Sequence, residues 1–403
     1  MIINELNQKK GGGKSYVTSL ITDEKSGVSK EIFFSVQDEF SEYMVTENAD
    51  VFVLATILPA LVSGQDIIVK APISDYCYKN SKLLIYLFGK LYDYPPIKVK
   101  AESVEHFEFY PTAVATGFSG GVDSFATYYN YTGEECPEHF RITHLTLFNV
   151  GAYGYRYENT SKEFLSDAKR AEEFAKSVGK PLILVDSNVS ELYYREDIYS
   201  FRRVVNCCIA MAVQFLQKLI KTYYVSSGYT IDELKLTKKY QARYESVLSQ
   251  LFSNNNVEIF VSELDLNRVE KTRLICRDET VRKNLHVCLA HTLNEKRGVI
   301  CYHKEDYLNC GECPKCVQTL LILDFLGELP NFSSIFNLEK YYSMRDEHIF
   351  DILLWKDYEY FKKLIYGLMQ ESGYQLPESL RKRVEEKKSD EDFIKLQSKY
   401  PKI

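Results

Sequence analysis

The chain has 403 residues, 45% hydrophobic, 26% charged and 14% aromatic, which excludes a disordered, collagen-like or coiled-coil protein and suggests two or three domains. Fifty Lys and Arg against 56 Asp and Glu give a net charge of -6, which argues against the broad basic face of a nucleic-acid binder. The N-terminal MIINELNQKK has no apolar h-region. The longest apolar run, residues 51–62, is broken by Pro59 and falls short of the ~20 residues of a membrane span. The expected location is therefore cytoplasmic, where clustered cysteines are metal ligands more often than disulfides.

In chain order, Gly11-Gly12-Gly13-Lys14-Ser15 imitates the end of a Walker A loop. Gln8 stands where that motif has its first glycine and no apolar strand precedes it, so the segment reads as a flexible turn. SYVTSLITD and KEIFFSV alternate as strands do, Asp50 to Val62 reads as a buried helix, and DIIVK reads as a strand. Ser74 to Tyr92 follows as a helix with Leu83, Leu84, Leu87 and Leu91 on one face. These elements make residues 1–110 a small α+β extension. From Pro111 to residue 328 short apolar strands alternate with helices, the pattern of a parallel doubly wound α/β sheet. The strands are Ala113–Phe118, His144–Val150, Pro181–Asp186, Thr222–Ser226 and Val257–Val261. The intervening helices lie around Asp123–Tyr131, Ser161–Val178 and Arg202–Lys221. Residues 329–403 read as helical, ending in the charge run LRKRVEEKKSDED, a solvated face.

Ser119-Gly120-Gly121-Val122-Asp123-Ser124 follows the first of these strands and opens a helix. Two glycines let the backbone turn sharply, and the freed N–H groups form an anion nest at the positive end of the helix. Ser119 and Ser124 add hydroxyls, and Asp123 is suited to cap the helix or bind Mg²⁺ beside a triphosphate. Later, Cys301, Cys310, Cys313 and Cys316 form C-x8-C-x2-C-x2-C, with Gly311 and Pro314 allowing tight turns. Four thiolates close the tetrahedral shell of a structural Zn²⁺. An iron–sulfur cluster or free thiols are the competing readings, and Cys288 and His303 are substitute ligands.

The SGGVDS loop resembles the signature of the PP-loop ATPases, the N-type ATP pyrophosphatases of the adenine nucleotide alpha hydrolase-like fold. Together with the late CY…CGECPKC knuckle it resembles the 7-cyano-7-deazaguanine synthases over residues 112–325. The region ahead of it is similar to the N-terminal extension of longer relatives, some of them antiphage-defence proteins. The resemblance implies an ATP- and Mg²⁺-dependent ligase that adenylates a 7-carboxy-7-deazaguanine-like carboxylate, releasing pyrophosphate, before ammonia displaces AMP to give an amide, which a second ATP-dependent step dehydrates to a nitrile. It implies nucleotide contacts from Phe118, Ser119, Gly120, Gly121, Asp123, Ser124, Phe148 and Asn149. Where that family has Arg-Asn, this chain has Arg202-Arg203-Val204. The loop carries no lysine, so cationic help for the leaving group falls to Arg203, Lys271 and Arg273, with Asp123 and Ser124 completing the catalytic set. Asp186, at the end of the third strand, is read equally as a ribose or substrate contact or as a turn cap. Expected partners are the small-molecule carboxylate, a protein docking on residues 1–110 and a second copy in a homodimer; nucleic acid and membrane are not. Three other readings stay open: transfer of the activated group to a macromolecule, a tRNA thiolase, and a non-catalytic nucleotide sensor.

Overall fold

The computed structural model describes residues 1–154, 156–193, 201–288 and 307–400. They form two compact units, Met1–Ser119 with Thr127–Asp265, and Gly120–Ala126 with Leu266–Ile403.

The first unit begins with strands β1 (Ile2–Ile3), β2 (Asn7–Gly11), β3 (Lys14–Asp23) and β4 (Val28–Gln37). Helix α1 (Asp50–Ser63), β5 (Ile67–Val69), β6 (Ile73–Ser74), helix α2 (Asp75–Tyr92), β7 (Val99–Ala101) and β8 (Val104–Glu105) follow. Strands β9 (Ala113–Gly117), β10 (His144–Asn149), β11 (Leu182–Ser187), β12 (Ile220–Ser226) and β13 (Glu258–Ser262) then alternate with α3 (Val122–Asn130), α4 (Ser161–Ser177), α5 (Phe201–Phe215) and α6 (Glu245–Phe252). All five strands drawn from the sequence in this region are present, shifted by a residue or two at their ends.

One 11-stranded mixed sheet has the order β13-β12-β9-β10-β11-β4-β3-β1-β5-β7, with β2 on β3, while β6 and β8 pair separately. From β13 to β11 every pairing is parallel. These strands carry buried runs such as His144–Asn149, five of whose six residues are buried, as helix-covered parallel strands require. β9, first of the five in the chain, sits between β10 and β12, so successive connections leave it in opposite directions. That reversal is the topological switch point at whose carboxyl edge open α/β sheets bind ligands.

Residues 1–110, set apart from the sequence as an extension, supply the mixed half of this same sheet, antiparallel from β11 through β4 and β3 to β1 and parallel from β1 to β7. β4 pairs with β11 through Ser35 opposite Asp186 and Phe34 opposite Ser187, and their side chains share one apolar core with those of β9 to β13. Sequence periodicity missed β2, NQKKG, because all five of its residues are exposed. On α2 the reading set Leu83 on the same face as Leu84, Leu87 and Leu91. Ser81, Leu84, Ile85 and Phe88 are buried, with Leu87 and Leu91 packed beside them, whereas Leu83 is half exposed.

The second unit holds α7 (Arg268–Ile275), α8 (Glu279–Asn284), α9 (Pro314–Phe325), α10 (Leu338–Trp355), α11 (Tyr360–Glu371), α12 (Glu378–Lys388) and α13 (Glu391–Gln397). The helices expected beyond Leu329 thus belong to a unit that resumes at Leu266. Among the described residues no helix is long and apolar enough to cross a membrane.

Candidate functional site

The glycine-rich loop links β9 to α3. Gly120 has φ 74°, a left-handed conformation that costs an L-residue roughly 1–2 kcal/mol. Its carbonyl accepts the His286 N–H at 2.8 Å. Gly121 O receives both the Phe125 N–H at 3.0 Å and the Ser124 hydroxyl at 2.9 Å, so Ser124 braces the first turn of α3.

Within this second unit the Asp123 carboxylate meets two cations. Arg268 Nη2 donates to Oδ2 at 2.8 Å, and Lys271 Nζ lies 3.8 Å from Oδ1. Both come from α7, three residues apart and hence on one helix face. A capping box, in which Asn267 accepts from Val269 and Glu270 N–H groups and Glu270 returns a bond to the Asn267 N–H, fixes the start of that helix. Lys271, named from sequence, is therefore brought to Asp123. Arg273 is not; it sits on another face, pairing with Glu371 at 2.7 Å near the surface. Arg268 was missed: the i, i+3 spacing in RVEK sets it on the face of Lys271 but does not say which face meets Asp123. The buried Arg268 Nε has no hydrogen-bond partner among the described residues.

In the first unit Phe118 and Phe148 lie in the core. The Phe118 ring stacks on Phe174 with centroids 4.0 Å apart, and Phe148 stacks on Tyr223 at 5.7 Å. Ser119 closes the unit's first segment. Asn149 is buried, donating through Nδ2 to Asp186 Oδ1 at 2.8 Å and Thr160 Oγ1 at 3.0 Å. Arg203 is half-buried on α5, where its charge opposes the upward shift that burial gives the Tyr92 hydroxyl. Just past β13, Glu263 adopts φ 50° and is buried. Its carboxylate accepts from Ser262 Oγ at 2.8 Å and from Thr127 Oγ1, tying α3 to the end of β13.

The four-cysteine group comprises Cys288, Cys310, Cys313 and Cys316, with all sulfurs within 4.8 Å of one another. Three of these are ligands expected from the sequence. The fourth, Cys301, and the substitute His303 lie outside the described residues, and Cys288 takes the remaining corner. Cys313 stands at the N-cap of α9, Pro314 occupies its first turn, and Gly311 at φ 74° turns the preceding knuckle. Cys310 Sγ accepts N–H groups from Glu312 at 3.4 Å and Cys313 at 3.3 Å. These bonds favour a thiolate, and hydrogen bonds from the neighbouring thiols push the Cys310 pKa down strongly. Ligands about 2.3 Å from a tetrahedral Zn²⁺ lie about 3.8 Å apart. The 3.9 Å between Cys310 and Cys316 sulfurs fits that separation.

No family model, curated protein or solved structure matches the chain. The residues themselves therefore carry the functional reading: a glycine loop following the switch-point strand, an acid held by two cations, and a cysteine knuckle able to hold a structural zinc.

Proposed function

We propose that the protein is an AMP-forming, PP-loop-type ligase that activates a 7-carboxy-7-deazaguanine-like carboxylate with Mg-ATP. The observation that carries this reading is the SGGVDS loop, joining the central parallel strand to α3, with its Asp123 gripped by Arg268 and Lys271. A substrate carboxylate oxygen attacks the α-phosphorus, the bond to the bridging oxygen breaks, and pyrophosphate leaves. Ammonia then attacks the acyl carbon and AMP departs. Backbone N–H groups of the loop and the positive end of α3 bind the phosphates. Arg268 and Lys271 neutralise the leaving group, the contribution that dominates phosphoryl chemistry. Bound Mg²⁺ adds charge neutralisation, with Asp123 as its candidate ligand.

A thiolase is less well supported. Burial pushes the thiols of Cys77, Cys208 and Cys276 up and that of Cys207 to about 12, the opposite of what a sulfur nucleophile needs. The purified protein is expected to release AMP and pyrophosphate from Mg-ATP with 7-carboxy-7-deazaguanine, and Asp123→Ala to release neither. Production of ADP and phosphate would overturn the reading.

A further inference from the structure

Lys14 belongs to the GGGKS segment that resembled a phosphate loop without being one. Gly12 and Gly13, at φ 62° and 74°, form the two-residue turn between β2 and β3, where Gly11 pairs with Lys14. A type I′ hairpin turn demands positive φ at both positions, which glycine adopts freely. The turn starts β3 at Lys14 and places its ammonium on Asp186, Nζ to Oδ2, at 2.8 Å. Asp186 is buried at the carboxyl end of β11 and accepts as well from Asn149 and from the Tyr157 hydroxyl at 2.8 Å. Its lone pairs are thus largely committed. Lys14 differs: among the described residues Asp186 is its one partner, and its side chain is 34% exposed. Two ammonium protons therefore remain available. Beside it Tyr16, Phe33 and Tyr157, all half-buried, stand edge to face with centroids 5.6 and 5.2 Å apart. With strands spaced about 4.8 Å, the end of β11 lies about 10 Å from that of β9 across the carboxyl edge.

We infer that Lys14 is a specificity-determining residue, contributed by the N-terminal strands, that donates to an oxygen of a planar heteroaromatic ligand lying against Tyr16, Phe33 and Tyr157. Asp186 acts as the positioning residue that holds the ammonium. A neighbouring aromatic wall suits a flat ring, and a held cation suits its carbonyl or carboxylate oxygen. The inference rests on the proposed function for the identity of the ring, a 7-deazaguanine.

The test is calorimetric binding of 7-carboxy-7-deazaguanine and, separately, of Mg-ATP to the full chain, alongside pyrophosphate release. Lys14→Gln keeps a hydrogen bond to Asp186 without the charge, and Lys14→Met removes both. Heterocycle affinity should fall about 10- to 100-fold in each, the scale of one charge-assisted hydrogen bond, while ATP affinity stays within about twofold. Unchanged heterocycle affinity in Lys14→Gln, or equal loss of both ligands, would overturn the inference and make the pair a structural clamp. Lys14-dependent binding without turnover by the native chain would sink the functional reading alone. Turnover with a Lys14-independent KM would sink this inference alone, and neither binding nor turnover would sink both.

Discussion

At Asp123 the protein brings an acid to two cations, and the positions of Arg268, Lys271 and Arg273 on one short helix decide which of them serve. Residues 268 and 271 share a face, whereas residue 273 is turned away and finds Glu371. Replacing Arg268 by Gln is expected to lower kcat for pyrophosphate release by about 10²–10³-fold, the usual cost of losing one charge-stabilising donor. Arg273→Gln should leave kcat within about twofold, because an exposed pair of this kind is worth about 0–1 kcal/mol. Steady-state pyrophosphate assays on the two variants check both. Asp50, buried at the start of α1, is a different case. Burial raises its pKa to about 6, against the opposing bond from the Ser74 N–H. Between the unfolded value near 3.8 and about 6 the folded chain keeps a proton that the unfolded chain has lost. Stability therefore falls as pH rises through that window and stays level above it. Asp50→Asn should abolish this fall and raise stability near pH 8 by up to about 2–3 kcal/mol. Denaturant unfolding at pH 4, 6 and 8 would show it, and an unaltered pH dependence would contradict it. Asp123 was legible because the glycines and serines around it form a local motif. Nothing local marked Arg268 over Arg273, since the choice depends on the phase of α7 against the loop.

Among the elements, the turn before α9 and the first turn of that helix supply Cys310, Cys313 and Cys316 from seven consecutive residues, a spacing plain in the sequence. The fourth sulfur, Cys288, stands 22 positions before Cys310, and it lies within 4.8 Å of the others in the folded chain. A tetrahedral zinc is saturated by these four thiolates. Elemental analysis should find about one zinc per chain, Cys288→Ser and Cys313→Ser should lose it, and Cys301→Ser should keep it. Metal loss in Cys301→Ser with retention in Cys288→Ser would reverse the ligand assignment. The hairpin between β2 and β3 shows the same division of labour. Its glycines announced a turn, but the destination of Lys14 depended on β4 pairing beside β11.

For the whole molecule, the strands of residues 1–110, led by β4, cover an edge that the strands β9 to β13 would otherwise expose. β4 lies along β11, and Phe34, Ile183 and Val185 are buried in the shared core. A fragment starting at Pro111 would present an unpaired edge and an uncovered apolar face. It is expected to be insoluble or aggregated, whereas the full chain elutes as a defined species in size-exclusion chromatography; a monodisperse, folded fragment would refute this. By itself the sequence determined the parallel strands, the glycine loop and three cysteines of the knuckle, because hydrophobic period, turn chemistry and close ligand spacing are written within a few neighbouring residues. Tertiary structure alone decided that residues 1–110 extend the same sheet, that Arg268 rather than Arg273 holds Asp123, that Cys288 joins the thiols, and that Lys14 reaches Asp186. Each of those pairings joins residues between 22 and 172 positions apart, and such partners are chosen by strand register, helix phase and burial, none of which a local pattern encodes.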